Sequence, residues 1–105
     1  MSLTDDLKKR FASAEAHLIQ IEGLPDIYSK SLTLGQIRDI DIETETFTRI
    51  ARHFQVRAKD ENGRPLVTPG EFEDFLRYGD ADLITEAVAK MQEHDTGFED
   101  AEKKS

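Results

Sequence analysis

Lys59-Asp60-Glu61-Asn62-Gly63-Arg64-Pro65-Leu66-Val67-Thr68-Pro69-Gly70-Glu71-Phe72 separates two helical patterns, and its chemistry decides how the chain is divided. Asp60 to Gly63 is a turn, because Asn and Gly tolerate positive φ and an Asp carboxylate can bond nearby backbone N–H groups. Pro65 pushes Arg64 out of the helical region, so residues 64–67 run extended. Thr68 then reads as an N-cap, with Pro69 at the first helical position and Glu71 at the third. That combination is a capping box with a proline start, and it predicts a helix boundary.

Working outward toward the N-terminus, Phe47, Ile50, Ala51, Phe54 and Ala58 recur at three- and four-residue steps and predict an apolar stripe on a helix. Upstream, Thr33 with Gln36 three residues later repeats the capping signature, and Ile37 and Ile40 share one side. Asp residues and β-branched side chains cluster over residues 41–44, so a break is expected there rather than one long helix. Residues 17–22 and 27–32, flanking the turn-like Gly23-Leu24-Pro25-Asp26, alternate as two short strands. A two-stranded ribbon is marginal in water by itself. It needs helices to pack on, or a second chain at its edge. Ser2 or Thr4 caps a short leading helix whose Leu7, Phe11 and Ala14 fall at helical spacing. That helix docks weakly or frays, with binding of a partner through Leu3, Leu7 and Phe11 as the alternative.

Toward the C-terminus, the helix after Thr68 carries Phe72, Phe75 and Leu76 on one face and ends at Tyr78-Gly79. Asp80 caps a last helix with the stripe Leu83, Ile84, Ala87, Val88 and Met91. From residue 95 the apolar content collapses, and residues 95–105 are expected to be a disordered acidic tail. The expected fold is therefore mainly α with a small β-hairpin near the N-terminus. It is an α+β domain of about four helices spanning residues 1–94.

Composition narrows the function. A formal net charge of −8 argues against a duplex-binding surface and for solubility by self-repulsion. The chain has no cysteine, which removes disulfides and thiolate metal sites and suits a reducing cytoplasm. No apolar run reaches the ~20 residues of a membrane span, and residues 1–6 lack a signal-peptide pattern.

No catalytic constellation stands out. Setting Gly63 as the sixth position of a calcium loop puts Ala58 first and Pro69 twelfth, so both required carboxylates are missing. His17, His53 and His94 are scattered, without metal-ligand spacing. There is no phosphate-cradling glycine loop and no nucleophile elbow. The expectation is a protein that is not an enzyme and carries no cofactor or metal.

Two groups remain as candidate protein-binding residues. Arg49, Arg52 and Arg57, with His53, form a basic stripe on the middle helix. It would dock an acidic partner or a neighbouring copy in a homo-oligomer, or it is a solvated face with Glu45 paired to Arg49. Phe72, Phe75, Leu76 and Tyr78 fill the core first, and any left outside form an apolar patch for a client segment.

The connector also carries a resemblance. An alanine- and arginine-containing helix, then Asp-Glu-Asn-Gly-Arg-Pro-Leu-Val-Thr over residues 60–68, then Glu71-Phe72-Glu73-Asp74-Phe75-Leu76, resembles the tail assembly chaperones of long-tailed bacteriophages. Leu32-Thr33-Leu34-Gly35-Gln36-Ile37 is similar to that family's helix entry. The likeness spans residues 17 to 93, and the chain departs from the family in its longer acidic tail and weak strand region. The resemblance implies a protein of the host cytoplasm that coats the tape measure protein and assists recruitment of the tail tube protein. The alternative is a small acidic adaptor that binds one folded partner through the basic stripe.

Overall fold

The computed structural model describes residues 2–95. The chain forms α1 (Leu3–Ser13), β1 (His17–Ile19), β2 (Ile27–Ser29), α2 (Leu34–Asp41), α3 (Thr46–Arg57), α4 (Phe72–Tyr78) and α5 (Ala81–Glu93). This is the expected mainly helical fold with an N-terminal hairpin. Among the described residues there are five α-helices, the leading one capped by Ser2.

Each expected start is present. The Thr33 amide donates to Gln36 Oε1 at 3.0 Å, and the Gln36 amide donates to Thr33 Oγ1 at 3.2 Å. The same glutamine donates through Nε2 to the Val56 carbonyl at 3.1 Å, so one side chain caps α2 and ties it to α3. The break falls between Asp41 and Thr46, and there Glu45 accepts from the Thr48 amide to cap α3. At the connector, the Thr68 amide and hydroxyl both donate to Glu71 Oε1. Pro69–Glu71 winds as one 3₁₀ turn before α4 begins.

The connector does more than separate helices. Asp60 Oδ1 accepts from the amides of Asn62 and Arg64, and Gly63 takes φ +81°, which a Cβ would oppose. The turn folds Pro65 back beside Lys59, and the Lys59 backbone exchanges both hydrogen bonds with Tyr28 (2.8 and 3.1 Å). β1 and β2 pair antiparallel, with Leu18 opposite Tyr28. The marginal ribbon is therefore widened from within the chain: Lys59 bridges Tyr28 on the β2 edge, and Pro65 bridges Lys59 outside it.

The core lies between this sheet, α3 and α5. Ile19, Ile21 and Ile27 from the ribbon meet Phe54 and Ala58 of α3 and Ile84, Ala87, Val88 and Met91 of α5. Phe75 of α4 stacks on Phe54 with ring centres 5.2 Å apart. Gly79 ends α4 where its amide donates to the Phe75 carbonyl, and a Cβ there would lie 2.7 Å from that oxygen. Asp95 is held in the fold, whereas the expectation put it in the tail; residues 96–105 of that expected tail lie outside the described residues.

Candidate functional site

Among the aromatics of α4, Phe72 is buried at 5% exposure, with the Arg52 guanidinium 3.7 Å over its ring centre. Phe75 is half-buried on the core. Leu76 is 37% and Tyr78 78% exposed. The four candidates thus divide, Phe72 and Phe75 inward, Leu76 and Tyr78 outward. Phe47, read from sequence as part of the α3 stripe, shares its face with Ile50 but is not covered. It stands at the first turn of α3 and is 62% exposed. Helical spacing gives its face but not its exposure.

Phe47 and Leu76 flank a groove of about 110 Å³ between α3, α4 and the start of α5, floored by Ile50, Phe75, Ala81 and Ile84. An apolar cavity of roughly 150 Å³ holds a benzene ring, so this groove suits one apolar side chain. A second apolar surface lies on α1, where Leu3, Leu7 and Phe11 are all exposed and no residue of the helix is buried.

The basic stripe is not a free docking face. Arg49 donates to Asp41 at 2.7 Å rather than pairing with Glu45, whose carboxylate is occupied at the α3 cap. That cap holds the Glu45 carboxyl below its ordinary pKa, as the Thr68 amide does for Glu71. Arg52 pairs with Glu43 and donates to Gln55. Arg57 is 2% exposed and offers no surface to a partner. Its guanidinium donates to both oxygens of Asp95 (2.6 and 2.8 Å) and to the Lys30 carbonyl (2.8 Å), and Nη1 lies 3.2 Å from His53 Nε2.

The histidines, scattered in sequence, converge here. His17 of β1 stacks on His94 at the end of α5, ring centres 4.1 Å apart and 3° from parallel. Next to His94 in sequence, Asp95 reaches Arg57, which reaches His53. Burial first, and then the Arg57 charge, push the His53 pKa down from 6.5 to about 4. A cleft of about 500 Å³ beside this cluster is lined by Leu32, Ile37, Ile40, Arg49, His53 and Asp95, among others. Its charged groups are largely satisfied by one another, Asp41 by Arg49 and Asp95 by Arg57. Among the described residues, no group of three or more His, Asp or Glu is placed to hold a metal ion, and no helix is long and apolar enough to cross a membrane.

The groove edged by the exposed Phe47 and Leu76 is therefore the candidate interaction site; Tyr78 is exposed too but does not line it. Comparison with protein-family models, with curated proteins and with solved structures returned no match.

Proposed function

We propose that the chain is a phage tail assembly chaperone. It holds helical segments of the tape measure protein in solution, assists tail tube assembly in the host cytoplasm, and binds without catalysing a reaction. The observation that carries this reading is the exposed pair Phe47 and Leu76 on a groove sized for one side chain, on a protein of net charge −8. The connector and helix-entry motifs add the family resemblance.

The magnitudes fit a reversible shield. Burying two apolar side chains contributes roughly 3–6 kcal/mol before ordering costs. A free energy of about −4 kcal/mol corresponds to a millimolar Kd. Single contacts are therefore weak, and a long client is retained by many copies acting together. The net negative charge keeps the coated client soluble. The adaptor alternative has less support, because Arg49, Arg52 and Arg57 are each paired within the chain.

Co-expression with a tape measure protein tests the reading. The client is expected in the soluble fraction and to co-purify with the chain. A client that stays insoluble and unbound overturns the proposal.

A further inference from the structure

Arg57 can only donate hydrogen bonds, so the 3.2 Å contact with His53 requires an unprotonated Nε2 as acceptor. A proton on that nitrogen turns the contact into donor against donor, beside a guanidinium that is already buried. Arg57 is also what holds the end of α5, through the two oxygens of Asp95. The neighbouring residue, His94, lies flat on His17 with ring centres 4.1 Å apart, so the same chain end also rests on β1. All three histidines of the chain thus sit on one clasp joining β1, α3 and α5.

We propose that this clasp is released by acid: protonation of His53 breaks its contact with Arg57, and the α5 terminus carrying His94 and Asp95 opens off β1 and α3. The opening widens the adjacent cleft and bares its apolar wall of Leu32, Ile37 and Ile40. The charged groups around His53 are Arg57 and Arg49 on its own helix, Asp95 from the α5 end, and Asp41 from α2, which neutralises Arg49. Asp95 favours the protonated ring, but burial and Arg57 outweigh it. In the closed form His53 stays neutral down to about pH 4, whereas an exposed histidine protonates near 6.5. The open form therefore takes up the proton first. The clasp is whole above pH 6.5 and weakens as pH falls toward 4. This inference stands apart from the chaperone reading and survives if that reading fails.

Amide exchange on the full chain, with intrinsic rates corrected for pH, reads the opening directly. Between pH 7.5 and 5 the last turn of α5 is expected to lose roughly 30-fold in protection relative to Ala87 and Val88. H53Q keeps an acceptor for Arg57 without titrating, and its protection ratio is expected to stay constant. Unchanged protection in the wild type, or an equal loss in H53Q, overturns the proposal. The wild-type His53 ring provides an independent check by NMR, since titration near 6.5 in the folded chain would also overturn it.

Discussion

Helices α1 and α5 are built alike and end up differently. Each has a side-chain cap, from Ser2 and Asp80, acidic residues in the first turn and a basic residue in the last. Yet α1 buries nothing, whereas α5 buries Ile84, Ala87, Val88 and Met91. The difference lies in stripe width. α1 offers one large apolar residue per turn, Leu3, Leu7 and Phe11, while α5 offers adjacent pairs that cover a broad arc. Lys30 tethers α1 by donating to the Phe11 carbonyl at 2.7 Å and lying over its ring. Caps and charge order make a helix; the breadth of the apolar arc decides whether it joins the core.

The strongest way to break this contrast is at the clasp. Asp95→Ala strands a buried guanidinium and is expected to cost about 3 kcal/mol of stability in urea unfolding. Combining it with Arg57→Met should recover most of that loss. Met91→Ala, at a fully buried position, should likewise cost about 3 kcal/mol, whereas Leu7→Ala on α1 should stay within about 0.5 kcal/mol. Equal losses at Met91 and Leu7 would mean that α1 is packed after all. Thr68→Ala removes the hydroxyl bonded to Glu71 and should lower stability by about 1 kcal/mol. At the small end, Ser29→Ala should be neutral or stabilising by about 1 kcal/mol, since its buried hydroxyl has no hydrogen-bond partner among the described residues.

What was legible in the sequence was local. Thr33 with Gln36, Thr68 with Glu71, and Asp80 at the start of α5 act over three residues, so their spacing specifies the bond. The break before Thr46 and the hairpin are of the same kind. Arg57 with Asp95 joins residues 38 apart, and nothing in a charged side chain names its partner at that range. The stripe containing Arg57 therefore read as surface although it closes the fold. Likewise His17 and His94 carry no mutual signal until the ribbon and α5 pack. Lys59 was legible as the edge of a turn but not as the strand partner of Tyr28. For the candidate site, Leu76 and Tyr78 were named from sequence, while Phe47 was read only as part of the α3 stripe, because periodicity gives a face and not its exposure near a helix end.

Chemical-shift mapping with an apolar helical segment of a tape measure protein tests the central claim most directly. Shifts concentrated at Phe47, Leu76 and the groove residues Ile50 and Ala81, with Met91 and Arg57 unmoved, are the predicted result. Binding spread through the core residues, or no binding at millimolar peptide, would contradict it.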